Sequence, residues 1–216
     1  MDNRNLETGK PKPLLVYIVT IYTASLLIAN VLAGHMLNVF GQQVSAGILA
    51  FPITYILASV LAEVYGYRWA RRAAWLSLAL NALLAGFVQL SIMLPQPEGY
   101  DAIYFVMAIG GTWRIVLASL TAFTIGKFAN DKLFSQLKGE NTNMKGFTSR
   151  AIISSIVGHI LDTSIFYLIA FSFVIPWAAL PSTILVVVAL KWGYELIVLP
   201  LTVMLAKKVS RYEAAA

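Results

Sequence analysis

The sequence predicts an all-α integral membrane protein: a bundle of six transmembrane helices with both termini in the cytoplasm. Three observations predict it. Of 216 residues, 59% are hydrophobic and mean hydropathy is +0.75, whereas soluble domains hold about 45–50% apolar residues. Six apolar runs reach the ~20 residues that a helix needs to cross the hydrocarbon core. The basic residues fall into alternate connections, as the positive-inside rule requires.

In chain order, a polar tail (1–13) precedes a six-helix transmembrane domain (14–206), and a second short tail (207–216) follows. The spans are expected at Leu14–Gly34, Val44–Tyr65, Arg72–Leu94, Ile103–Phe128, Ala151–Ile175 and Ser182–Ala206. Gly110-Gly111 interrupts the fourth, so Tyr104–Ile109 reads as a short lead-in segment. The connections at Gly34–Gln43, Pro95–Ala102 and Pro176–Pro181 carry no Lys or Arg. Fourteen of the sixteen basic residues lie in the two tails and the other two connections. The net charge of +6 is therefore a topology signal and not a nucleic-acid footprint. Pro52 and Pro200 remove a backbone donor inside their spans and are expected to kink them. Met1–Pro13 is polar and lacks a cleavable signal pattern. The closing Glu213-Ala-Ala-Ala is left outside the reading.

The two remaining cations, Arg114 and Lys191, sit about ten residues into their spans, near mid-depth. His159, Asp162 and Glu195 fall at similar depth, and Glu63 lies nearer the cytoplasmic end of its span. A charge facing lipid costs about 3 kcal/mol or more, so each needs a partner or a water-filled cavity. Ser155, His159, Asp162 and Phe166 recur at steps of four, three and four, which places them on one helical face. Matching stripes run through Thr23 and Asn30; Pro52, Tyr55, Ser59 and Glu63; Ser77, Asn81, Ala85 and Gln89; and Gly111, Arg114, Ala118 and Thr121. Helices with one polar face each imply a closed polar interior.

Each group also has a plainer reading. Lys191 and Glu195, at i and i+4, can neutralise each other. Glu63 can pair with Arg68 or Arg71, and His159 can be a packing residue. Asp162 and Arg114 have no opposite charge one turn away, so they need partners on other helices, each other included, or a ligand. Trp69, Trp75, Tyr65, Tyr67 and Trp177 suit an interfacial belt. Trp113 and Trp192 stand beside the mid-depth cations and are either lipid-facing bulk or flat faces for a planar heterocycle.

Ser155, His159 and Asp162 form a poor hydrolytic triad, because one straight helix cannot put the histidine between the other two. HExxH, Walker A and paired Cys/His spacings are missing, and the chain has no cysteine. No cofactor or metal is expected. Scattered charges of both signs speak against an ion channel. The small residues Gly110, Gly111 and Ala118 permit close helix contact, including that of a homo-oligomer.

Three stretches resemble a known family. Phe51 to Arg68 (FPITYILASVLAEVYGYR) with Ala70-Arg71, then Ser154-Ser155, Gly158-His159, Asp162-Thr163 and Phe166, and finally Lys191 to Pro200 (KWGYELIVLP) are similar to the signatures of the queuosine precursor transporters, formerly grouped as vitamin uptake transporters. Ser59 stands where many members have aspartate, with Glu63 one turn on as its substitute. His159 stands where glutamine is common. The resemblance implies uptake of 7-cyano-7-deazaguanine and 7-aminomethyl-7-deazaguanine across the bacterial inner membrane without a covalent change. It also admits a substrate-binding subunit of an energy-coupling-factor vitamin importer; an intramembrane hydrolase is the remoter alternative. On it, Asp162 or Glu195 would accept from the donor edge of the base, and Glu63 or the remaining carboxylate would hold an aminomethyl cation. Arg114 or Lys191 would meet the carbonyl; Trp113, Trp192 or Phe166 would stack; and Asn30, Asn81 and Gln89 would add polar contacts beside His159.

Overall fold

Pro13 opens the first helix, where a missing N–H costs nothing. The computed structural model describes residues 12–136 and 144–215, and side chains outside 127–155 and the last two residues. Helix α1 (Pro13–Leu32) buries Tyr22, Thr23, Ala29 and Asn30 on one face. It leaves Val16, Tyr17, Ile21 and Ile28 exposed, an apolar exterior suited to lipid.

The connection after α1 is not a plain loop. Strands β1 (Met36–Val39) and β2 (Gln42–Ser45) pair antiparallel, with Val39 opposite Gln42. The two-residue turn Phe40-Gly41 has φ of 52° and 78°, the doubly positive pattern of a type I′ hairpin. Its usual Asn-Gly is absent from the sequence. The Asn38 side chain accepts from Gly41 N at 3.0 Å and helps hold the turn.

The second span is likewise subdivided. Ser45 caps a 3₁₀ turn (Ala46–Ala50) by accepting from Gly47 N. Helix α2 (Phe51–Val60) follows, and a π-helical turn (Leu61–Tyr65) ends it. Pro52 lies in the first turn of α2, so it starts the helix instead of kinking it. The expected stripe already breaks at Ser59, before the π turn. Tyr55 faces inward, whereas Ser59 and Glu63 are exposed.

Helix α3 (Tyr67–Met93) buries Ser77, Asn81 and Ala85, the predicted stripe. Short α4 (Ile103–Ile109) and α5 (Thr112–Gln136) are separated at Gly110-Gly111 as expected. Helix α6 (Met144–Phe171) packs along α5, and α7 (Leu180–Ala215) encloses Pro200 and runs past its apolar stretch. Among the described residues five segments are long and apolar enough to cross a membrane: Pro13–Leu32, Ala46–Val64, Tyr67–Met93, Ile103–Gly126 and Leu180–Ala214. The described apolar part of α6, Ile156–Phe171, is shorter.

Both described ends meet at one end of the bundle. Glu213 Oε1 accepts from Leu14 N at 3.0 Å and from the Tyr65 hydroxyl at 2.6 Å, so the C-terminal segment set aside above is part of the fold. One apolar cluster lies there, with Val60, Leu61 and Tyr65 at its centre. A second, around Val44, Tyr167, Phe171 and Ile175, lies at the hairpin end. Ala118 is fully buried in that second cluster, so it serves packing within this chain.

Candidate functional site

Between the two clusters lies a cavity of about 380 Å³. Helices α1, α2, α3, α5, α6 and α7 all line it, together with Ser45, Gly47 and Ile48 at the hairpin end. Asn30, Asn81, His159, Asp162, Phe166 and Lys191, all singled out from the sequence, are in its wall. Steps of four and three on α6 explain how His159, Asp162 and Phe166 arrive together. Ser155, at the start of that face, lies outside the described side chains.

The charged part of the wall spans two helices. Lys191 Nζ on α7 lies 3.1 Å from Asp162 Oδ2 and 3.0 Å from Thr163 Oγ1 on α6. It also sits 4.9 Å from the Phe51 ring centroid, within cation–π range. Lys191 is 6% exposed; such an ammonium is tolerable only with partners of this kind. Its intrahelical neighbour Glu195 is not its partner. Glu195 Oε2 instead lies 3.7 Å from His159 Nε2. Edge-on contact between Tyr55 and His159 carries the aromatic wall over to α2.

The opposite wall is a neutral hydrogen-bond chain. Ser119 Oγ donates to Asn30 Oδ1 at 2.8 Å, and Asn30 Nδ2 donates to Asn81 Oδ1 at 2.7 Å. Asn81 Nδ2 then donates to Ser77 O at 2.8 Å. Ser77 spends its hydroxyl proton on Ala73 O, so Thr23 is the donor in their 2.9 Å contact. Helices α1, α3 and α5 are tied together at this point.

Close backbone approaches set the dimensions. A Cβ on Gly47 would stand 2.6 Å from Ala29 O, and one on Gly126 would stand 3.0 Å from Asp162 Cβ. Glycine at 47 seats the 3₁₀ turn against α1. Glycine at 126 lets α5 press on the helix that carries Asp162.

Other candidates stand outside the cavity wall. Arg114 reaches the end of α6, where Nε donates to Ile169 O at 2.7 Å and Nη2 to Ser172 O at 2.6 Å. It satisfies carbonyls that a helix end leaves unpaired, and does not pair with Asp162. Gln89 donates to Gly110 O at 2.8 Å, bracing the break between α4 and α5. Trp113 and Glu63 are exposed. Trp192 and Glu195 lie on α7 but not in the lining.

Several lining residues escaped the sequence reading. Tyr22 belongs to a periodic set with Leu26, Ala29 and Ala33, which that spacing could have revealed. Tyr167 and Ser119 carried no local signal, because only contacts with the hairpin and with Asn30 define their roles.

Comparison with known proteins gives the same assignment as the motifs. A family model described as "Putative vitamin uptake transporter" matches residues 45–205. The chain is similar to a protein of Bacillus subtilis (strain 168) named "Probable queuosine precursor transporter", with 25% identity over 174 residues, covering 80% of this chain and 76% of that one. No solved structure matches. The family match takes in α2, the cavity wall of α6 and the Lys191 segment, and this chain belongs to that family of vitamin uptake transporters, as a multi-pass membrane protein.

Proposed function

We propose that this protein imports queuosine precursors, 7-cyano-7-deazaguanine and 7-aminomethyl-7-deazaguanine, across the bacterial cytoplasmic membrane. On this reading α6 is the sixth span, both termini are cytoplasmic, and the central cavity holds the base in transit. The observation that carries it is the Asp162–Lys191 pair, set in a cavity wall beside Phe51, Tyr55 and Phe166. A flat base with donors on one edge and an acceptor beside them needs such a wall. Asp162, whose Oδ2 holds Lys191, has a second oxygen for the N1–H and 2-amino donors. Lys191 supplies positive charge for the carbonyl, Phe166 stacks, and Asn30 and Asn81 accept or donate at the far side. His159 and Glu195 form an adjoining pair. The name of the Bacillus subtilis relative supports the cargo class. No covalent step is required.

Thermal unfolding of the detergent-purified protein tests the reading. The panel holds the two precursors, queuine, guanine, riboflavin and biotin. A ligand at 100 times its Kd stabilises by about 2.7 kcal/mol. Stabilisation by the deazaguanines alone supports the proposal. Stabilisation by a vitamin alone favours the coupling-subunit alternative, which the family description keeps in view; uptake by the isolated chain in liposomes then separates the two.

A further inference from the structure

Tyr167 is 2% exposed and lines the cavity. Its phenolic oxygen accepts from the backbone N–H of Ser45 at 3.0 Å, at the end of strand β2. A phenol has one proton as well as lone pairs. Among the described residues this is the hydroxyl's one hydrogen bond, and in it the oxygen accepts. A buried hydroxyl donor without an acceptor is costly and uncommon in native proteins. The neighbouring Phe166 and Phe171 rings hold the phenol against rotation away from the cavity. The hydroxyl proton is thus left for an acceptor inside the cavity.

We propose that the Tyr167 hydroxyl donates to the carbonyl oxygen of the transported base and so determines specificity for an oxo-bearing ring. This rests on the deazaguanine reading above. Tyr167 follows Asp162 by five residues on α6, about 7.5 Å along the axis and about 140° around it, and both side chains line the cavity. The carbonyl lies beside the N1–H that Asp162 would accept, so the base would lie between the two side chains with its carbonyl turned toward Tyr167. The carbonyl is common to both precursors, whereas the 7-substituent is not. When cargo binds, Ser45 N–H, Tyr167 O–H and the carbonyl form one chain, each bond polarising the next. Cargo thereby strengthens the tie between α6 and the hairpin, whose Gln42 also accepts from Ser182 and Thr183 of α7.

The test compares Tyr167→Phe with wild type against two ligands, 7-cyano-7-deazaguanine and its 6-thio analogue. Sulfur is a weak acceptor, and the analogue keeps the N1–H. Wild type is expected to bind the oxo compound at least tenfold more tightly. Tyr167→Phe is expected to lose tenfold or more for the oxo compound and less than twofold for the thio compound. An equal loss for both ligands overturns the proposal, since the hydroxyl would then act only through Ser45. Equal wild-type affinity for the two also overturns it, even where Tyr167→Phe fails to fold. Wild type that binds neither, while binding another member of the panel, overturns the deazaguanine reading and this assignment with it.

Discussion

Lys191 Nζ reaches across from α7 to Asp162 Oδ2 on α6 at 3.1 Å, and Thr163 beside it supplies a second oxygen at 3.0 Å. Two charges that would each be costly in a bilayer cancel in a cavity wall. The pairing leaves Glu195 to His159 and Arg114 to the end of α6. One inter-helix contact thus sorts the intramembrane charges into a cavity pair and supporting ones.

Breaking that pair separates stability from binding. Asp162→Asn leaves a buried ammonium unmatched and should cost about 3–5 kcal/mol. Adding Lys191→Met should restore much of the stability without restoring ligand-induced thermal stabilisation. Both are read in one set of melting curves with and without 7-cyano-7-deazaguanine. Recovery of binding in the double variant would count against Asp162 as a ligand-contacting group.

Arg114→Ala should act through the helix end alone. Hydrogen bonds from charged donors are worth about 1.5–3 kcal/mol each, and the variant loses those to Ile169 O and Ser172 O. The melting temperature is expected to fall while the Kd of the folded fraction stays within twofold. A large rise in Kd at unchanged stability would return Arg114 to the binding site.

Gly47→Ala tests the seat of the 3₁₀ turn. With the new methyl 2.6 Å from Ala29 O, α1 or the turn must shift, at a cost of about 1–3 kcal/mol. Since Ala29 and Gly47 both line the cavity, ligand stabilisation should weaken together with the melting temperature.

Phe40→Asn should stabilise the hairpin. Phe40 holds φ of 52°, a left-handed conformation that costs an ordinary L-residue roughly 1–2 kcal/mol and that asparagine tolerates. Slower amide exchange over residues 36–45 is the expected readout. Unchanged or faster exchange would mean that the exposed phenyl ring itself holds the hairpin in place.

How much of this was legible beforehand depended on how local each cause is. Helix periodicity placed His159, Asp162 and Phe166 on one face and Ser77, Asn81 and Ala85 on another, and both faces point inward. The Gly110-Gly111 break was legible for the same reason. The β-hairpin was not, because Phe40-Gly41 lacks the usual turn signature and its strands are fixed by contacts with α6 and α7. The π turn that carries Glu63 has no local marker either.

By itself the sequence determined the membrane class, the positions of most helices, their polar faces and the family, since hydropathy, periodicity and short motifs act over neighbouring residues. Only the tertiary structure decided who pairs with whom. Lys191 had a carboxylate one turn away and took one from another helix, because Asp162 and Thr163 offer a buried cation two oxygens where α6 meets α7. Tyr167 became a cavity residue because a strand more than a hundred positions earlier docks on its oxygen. Such contacts depend on how the helices pack, and packing is a property of the whole chain.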